Sequence, residues 1–297
     1  MEKVKVKTEL HKRNKHRDSY NFEALIKETP SLKDFVSTNK YGNESIDFSD
    51  PNAVKCLNKA LLKLHYSILE WDIPENYLCP PVPGRADYIH YMADLLAEDM
   101  GKIPTGDRIN CLDIGIGANG IYPLIGIQEY DWNFVGVDID REALLNLEKI
   151  AKANKNLKNK LSLRQQLNSR QIFKDIIRKG EYYDLTICNP PFHASAKEAS
   201  ESSNRKVRNL KLKKGAPSNF GGTSNELWYD GGEKAFLLNM AYDSKHVALQ
   251  VGWFTTLVSK KENLKAFTKA LKRLEAKEIK NIPMNTGNKS TRIIAWH

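Results

Sequence analysis

Beyond Gly106 the chain alternates short apolar runs with amphipathic segments, and this alternation limits the possible folds more than any other feature. Strands are expected over 109–114, 133–137, 161–165, 183–188, 247–257, 277–283 and 291–296. Helical segments separate most of them, notably 141–153 and 261–274. Alternation sustained over about 190 residues predicts an α/β domain built on a doubly wound, mostly parallel sheet with both faces covered. In such sheets a ligand sits outside the carboxyl ends of the strands, near the switch point of the strand order. Chemistry is therefore expected where the chain leaves its strands.

The residues before this domain read differently. Residues 1–20 form a basic tail, 21–105 a helical N-terminal region, and 106–297 the sheet domain with a basic loop at 197–217. Asp50-Pro51 supplies an N-cap followed by proline at the first helical position. Val54, Leu57, Leu61, Leu64 and Ile68 then follow at three- and four-residue steps, one face of a helix. A turn-rich stretch from Asp72 to Gly84 interrupts it, and Tyr88, Tyr91, Met92, Leu95 and Leu96 mark a second helix face. No run approaches the length of a membrane span and the N-terminus has no apolar signal region, so a non-secreted chain without a membrane anchor is expected. Cys56, Cys79, Cys111 and Cys188 form no CxxC pair. Neither a disulfide framework nor a metal site is expected, and a reducing cytoplasm fits best.

The formal net charge of +10 is concentrated in two places. Residues 1–17 and 197–214 each hold seven Lys/Arg and two Glu, and together they account for the whole excess. Two basic, weakly hydrophobic segments on a neutral globule suit docking to a polyanion. Solvated stretches kept for solubility would show the same composition.

Two strand ends carry the motifs. Cys111-Leu112-Asp113-Ile114-Gly115-Ile116-Gly117-Ala118-Asn119-Gly120 is a strand entering a glycine-rich turn before a helix. Gly115 and Gly117 let the backbone approach a ligand because no Cβ intrudes. The next strand ends Val137-Asp138-Ile139-Asp140, placing a carboxylate about twenty residues after the glycines, where it can accept hydrogen bonds from a ribose diol. That spacing suits a nicotinamide dinucleotide and S-adenosylmethionine equally. Asp140 precedes Arg141-Glu142-Ala143 as a helix N-cap would, so Asp138 is the ligand candidate and Asp140 the structural one.

The fourth strand empties into Asn189-Pro190-Pro191-Phe192, which resembles the catalytic loop of Rossmann-like methyltransferases that alkylate planar nitrogens. An exocyclic amine conjugated to a purine is a poor nucleophile because its lone pair is delocalised. The Asn189 amide oxygen and the Pro190 carbonyl can accept its two N–H bonds, favour a pyramidal nitrogen and free that lone pair. Pro190 and Pro191 fix φ, so the acceptors are positioned in advance, and Phe192 offers a face on which a base can stack. A dehydrogenase would explain the glycine turn but not this loop.

The chain as a whole resembles the bacterial large-subunit ribosomal RNA adenine-N6 methyltransferases, which modify an adenosine of 23S rRNA. The resemblance runs through Leu10-His11-Lys12-Arg13-Asn14, Tyr41-Gly42-Asn43-Glu44-Ser45-Ile46-Asp47-Phe48, Trp71-Asp72-Ile73-Pro74 and Pro83-Gly84-Arg85-Ala86-Asp87-Tyr88-Ile89-His90. It continues through Ile121-Tyr122-Pro123-Leu124, Asn189-Pro190-Pro191-Phe192-His193 and Trp253-Phe254-Thr255-Thr256-Leu257. Eukaryotic relatives sharing this core methylate adenosine in small nuclear RNA. The resemblance implies a Rossmann-like class I methyltransferase fold with S-adenosylmethionine held by Arg85, Asp113, Gly115, Gly117, Asp138, Gln171 and Asn189. A guanidinium at Arg85 suits the cofactor's methionine carboxylate. Gly120 departs from relatives and is expected to loosen its helix start without functional consequence. The resemblance also gives the basic segments a role. Lys12, Arg13, Lys15 and Arg17 before the core, and Arg205, Lys206, Arg208, Lys211, Lys213 and Lys214 after the catalytic loop, would clamp phosphates around an extruded adenosine. Lys260 and Lys261 are further phosphate candidates. The implied partner is 23S rRNA or a large-subunit assembly intermediate, met by a monomer. A methylase of DNA or of protein glutamine, and an RNA-binding module without catalysis, are the rival readings.

Overall fold

A computed structural model describes residues 9–75, 77–195, 198, 228–286 and 289–297, with side chains left aside over 285–290. The N-terminal region holds α1 (Phe22–Glu28), a hairpin of β1 (Val36–Thr38) and β2 (Glu44–Ile46), then α2 (Pro51–Tyr66) and α3 (Val82–Met100). Asp50 caps α2 by accepting from the Asn52 amide, and Pro51 stands at its first position, as the sequence predicts. The hairpin is a departure from an all-helical region. Asn39 creates it: its side-chain oxygen accepts from the amides of Tyr41 and Asn43 at 2.9 and 3.2 Å, closing the turn between the strands.

The second part runs β3 (Asn110–Ile114), α4 (Ile121–Tyr130), β4 (Asn133–Asp138), α5 (Arg141–Ala153), β5 (Leu161–Gln165) and β6 (Tyr183–Cys188). It continues with α6 (Gly232–His246), β7 (Val251–Val258), α7 (Lys261–Arg273), β8 (Ile279–Thr286) and β9 (Lys289–Trp296). The sheet has the order β5-β4-β3-β6-β7-β9-β8. The first five strands are parallel, and β9 lies antiparallel between β7 and β8. The order reverses between β3 and β6, so the switch point falls between the glycine turn and the Asn-Pro-Pro loop.

Alternate residues of the strands serve opposite faces. Cys111, Leu185, Trp253, Leu257, Ile293 and Ala295 face a core shared with α2, α3, α4 and α5. Leu112, Ile114, Phe254, Val258, Ile294 and Trp296 face a second core with α6, α7 and Ile172–Ile177. The helical region therefore covers one face of the sheet rather than standing apart from it.

Most strands fall within two residues of the expected spans, and two boundaries differ by three or more. The run expected over 247–257 is strand only from Val251, because the Val247 amide closes α6 on Ser244 and residues Ala248–Gln250 form a 3-10 turn. At the other end, β8 runs on past Pro283 to Thr286. A proline is tolerated there because β8 is an edge strand, with no strand beside it on one side among the described residues.

Residues 9–17, expected as part of the basic tail, lie folded against α3. The His11 amide donates to Asp87 Oδ1 at 3.0 Å and its ring bonds Asp94 at 2.8 Å. Asn14 donates to Pro83 O at 2.8 Å and also to Asp87. The sequence HKRNKH carries three residues that end up buried, His11, Asn14 and His16; the first two bond polar groups of α3, and the His16 ring bonds Tyr66 Oη of α2 at 2.9 Å.

Candidate active site

The glycine turn is tied to the tip of β4. Gly115 and Gly117 have φ of +71° and +63°, values that L side chains adopt only under strain. In this shape the amides of Gly115 and Ile116 both donate to Val137 O, at 2.9 and 3.0 Å. The Gly117 amide donates to Asp138 Oδ2 at 2.8 Å, and the Asp140 amide to Asp138 Oδ1 at 2.9 Å. Burial raises the pKa of this carboxyl above its ordinary value, against the pull of those amides. Each oxygen keeps a further lone pair for a ligand hydroxyl. Asp140 plays the separate part its position predicts: it caps α5 through the amides of Glu142 and Ala143 and accepts from Tyr77 Oη at 2.8 Å.

Gly120 has a left-handed backbone at the helix start, where the sequence suggested only a loosened turn. It caps α4 with φ of +58°, and a Cβ there would stand 2.5 Å from Leu147 Cδ2 of α5.

Helix α3 reaches both strand ends. Arg85 Nη1 donates to Tyr122 Oη at 2.9 Å, with the guanidinium carbon 5.6 Å from the ring centroid. One turn on, the fully buried Tyr88 bonds Thr255 Oγ1 at 2.9 Å and accepts from the Cys188 amide at 3.4 Å. Tyr88 thus braces the last residue of β6 before Asn189. Beneath the glycine turn, Asp113 is fully buried and neither carboxylate oxygen has a hydrogen-bond partner among the described residues. Burial, with Asp138 nearby, pushes its carboxyl far up, and the Arg85 charge opposes this only in part. Burial and the Asp138 charge both disfavour the charged form of Asp113 in the fold.

A cavity of about 620 Å³ opens across the switch point. Arg85, Gly115, Gly117, Asp138, Gln171, Asn189 and Pro191 all line it, while Asp113, Pro190 and Phe192 are not among its lining residues. The Asn189 side-chain oxygen is buried without a hydrogen-bond partner among the described residues. An acceptor in that state is costly unless a ligand supplies the donor.

Sequence reasoning missed one wall. Trp228, Tyr229 and Asp230 line the cavity, joined by Ala235, Phe236 and Asn239 of α6. The His193–Trp228 bridge and the Tyr229 amide bond to His193 O at 3.0 Å set this segment beside the catalytic loop. The signal available was the aromatic pair Trp228-Tyr229 ahead of Gly231-Gly232, directly after the basic stretch.

The basic candidates divide. Arg13 is engaged by the protein itself, with Asp94 at 2.8 Å, Tyr130 Oη at 3.0 Å and His90 O at 2.8 Å. Lys15 pairs with Glu129 at 2.8 Å and donates to His65 O at 3.0 Å. Lys12 is exposed, and Arg17 holds a buried Nε without a partner among the described residues. Arg205, Lys206, Arg208, Lys211, Lys213 and Lys214 lie outside the described residues.

A cofactor-sized cavity spanning both strand ends at one switch point is the arrangement of a Rossmann-like methyltransferase, in which methyl donor and acceptor meet across that crevice. A family model described as RNA methyltransferase matches residues 4–297. The ribosomal RNA large subunit methyltransferase F of Flavobacterium johnsoniae is 54% identical over 295 residues, covering 98% of this chain and 93% of that protein. The human Mettl16 catalytic domain in complex with MAT2A 3′UTR hairpin 1 superposes with a TM-score of 0.80 at 27% identity, covering 97% of this chain and 95% of that one. The N-terminal domain of human METTL16 in complex with SAH shares the fold, with a TM-score of 0.76 at 24% identity over 97% of this chain and 98% of that one. The chain belongs to the RNA methyltransferase family, and its cofactor is S-adenosylmethionine. The cavity fits that cofactor in kind: it offers a guanidinium for a carboxylate, an acceptor carboxylate for a diol, and an unfilled amide oxygen where the acceptor must stand.

Proposed function

We propose that the chain transfers a methyl group from S-adenosylmethionine to the exocyclic N6 of an adenosine in 23S rRNA. The observation that carries this reading is the unfilled Asn189 Oδ1 at the end of β6, in the same cavity as Asp138 and Arg85. When bound, S-adenosylmethionine supplies an electrophilic methyl on a positively charged sulfur. Arg85 holds its carboxylate end, held in turn by Tyr122, and Asp138 accepts from the ribose hydroxyls. Asn189 Oδ1 accepts one N6–H, and the carbonyl of Pro190, next to it in the loop though not among the residues lining the cavity, accepts the other. Both bonds draw the nitrogen lone pair out of conjugation and aim it at the methyl carbon. The carbon–nitrogen bond would form as the methyl's bond to sulfur breaks, the neutral thioether leaving with the electron pair, and the alkylated nitrogen, now acidic, would release its proton to water. Asn189 is neutral and needs no ionisation to begin, so no titrating base at this position sets the rate. The same reading includes phosphate contacts from Lys12, Arg17 and the basic stretch of 197–217, and a single chain acting in the cytoplasm on the rRNA or on a large-subunit intermediate.

Asn189→Ala tests it, with RNA affinity and single-turnover methyl transfer measured side by side. Transfer is expected to fall by ~10²–10³, the usual loss when one positioned hydrogen-bond partner is removed at a reacting centre. RNA affinity is expected to hold within about threefold, because phosphate contacts supply most of it. Normal transfer by this variant would remove Asn189 from the mechanism.

A further inference from the structure

Helix α6 touches both sides of the cavity through two polar side chains one turn apart on the same face. Asp243 Oδ2 accepts from three successive backbone amides, Ile172 at 2.8 Å, Phe173 at 2.6 Å and Lys174 at 3.3 Å. Asn239 Nδ2 donates to Arg170 O at 2.5 Å and to Tyr229 Oη at 3.0 Å. A side-chain amide nitrogen carries two hydrogens, and both are committed here. The two acceptors belong to different walls. Arg170 sits in the segment that lines the cavity with Gln171 and Ile172. Tyr229 is bonded through its amide to His193 O, in the loop that leaves Asn189.

We propose that Asn239 is a positioning residue that couples the cofactor-side wall to the base-side wall, so that cofactor and RNA each raise the affinity for the other. The inference rests on the methyl-transfer reading above for which wall meets which ligand. Its physical basis is that one rotamer of one amide satisfies both bonds. A ligand that fixes the Arg170–Ile172 segment fixes the Asn239 amide, and through it the Tyr229 hydroxyl, before the second ligand arrives. That second ligand then meets a wall already ordered and loses less freedom on binding. Asp243 anchors the cofactor-side segment to the same helix, so displacement of one wall is carried to the other. The coupling is reciprocal by thermodynamic necessity.

The test uses the full chain, SAH as the probe of the cofactor site, and an in-vitro transcript of 23S rRNA. In the unaltered protein SAH is expected to tighten RNA binding by roughly five- to tenfold, and RNA to tighten SAH binding by the same factor. Asn239→Asp matches the side chain in size and can accept from Tyr229 Oη, reversing the bond that the amide donates there, but it cannot donate to Arg170 O. It is expected to weaken SAH binding by about tenfold, the order expected for losing one positioned hydrogen bond, and to reduce the mutual tightening to less than about twofold. Tyr229→Phe removes only the base-side link and is expected to abolish the tightening as well. A purely structural role for these residues would lower both affinities and leave their ratio intact. Persistence of the ratio in both variants overturns the coupling, as does the absence of tightening in the unaltered protein. A protein that binds and methylates RNA but keeps the ratio in both variants loses this inference alone. A protein that neither binds nor methylates the transcript loses the methyl-transfer reading, and the inference with it.

Discussion

At the scale of single residues, the site depends on polar atoms held without partners. Asp113 is the clearest, fully buried with both oxygens unbonded among the described residues. Burial pushes its carboxyl well above its ordinary value, whereas in the unfolded chain it ionises above about pH 4. A raised folded-state value contributes stability that is complete below the unfolded value and is lost as pH rises toward the folded one. Asp113→Asn has no proton to lose there. Its melting temperature relative to the unaltered protein, measured without cofactor, is expected to rise between pH 4.5 and pH 7.5 by roughly 2–4 °C for each kcal/mol of that lost stability. An equal difference at both pH values would show that Asp113 is ionised in the fold. Residue order was enough to separate Asp138 from Asp140, because an N-cap is a local pattern. Order was not enough to show that the Asp113 carboxyl is pushed up, since that depends on its burial and on the charges of Asp138 and Arg85, each more than twenty residues away.

Among the elements, α4 and α5 meet closely where the glycine turn enters α4. Gly120 has no space for a side chain because Leu147 of α5 fills it. Gly120→Ala also forces a left-handed backbone on a residue with a Cβ. It is expected to cost about 1–3 kcal/mol of stability, measured by denaturant unfolding, and to weaken SAH binding. Combining it with Leu147→Ala is expected to cost less than the sum of the two, since the clash is shared. Additive costs would show that the strain lies in the backbone alone. The parallel strands were legible because each is a short apolar run with a helix after it. The placing of β9 between β7 and β8 was not: β8 and β9 are consecutive and pair locally, but that β9 rather than β8 meets β7 is a non-local choice. The wall made by Trp228–Asp230 was hidden for a similar reason. Its position depends on a bridge to His193, 35 residues earlier.

Across the whole molecule, two long-range connections turn a common sheet into this particular site. One is α3, which belongs in sequence to the N-terminal region yet supplies Arg85 to the cavity and Tyr88 to the end of β6. The other is the strap of residues 9–17, which holds α3 through Asp87, Asp94 and Pro83 O. Composition read that strap as a tail because its charge is visible in sequence and the burial of its histidines is not. Among the described residues no helix is long and apolar enough to cross a membrane, and the four cysteines are free and buried. On the proposed reaction, this architecture brings the N6 of an adenosine to Asn189 Oδ1 and to the methyl donor together. The most direct test is transfer from methyl-labelled S-adenosylmethionine to 23S rRNA, offered both as bare transcript and as large-subunit particles from cells lacking the enzyme, followed by nucleoside analysis. Label is expected only in N6-methyladenosine, at a single position. Label in another nucleoside, in DNA or in protein, or no label from either form of the RNA, would contradict the proposed reaction.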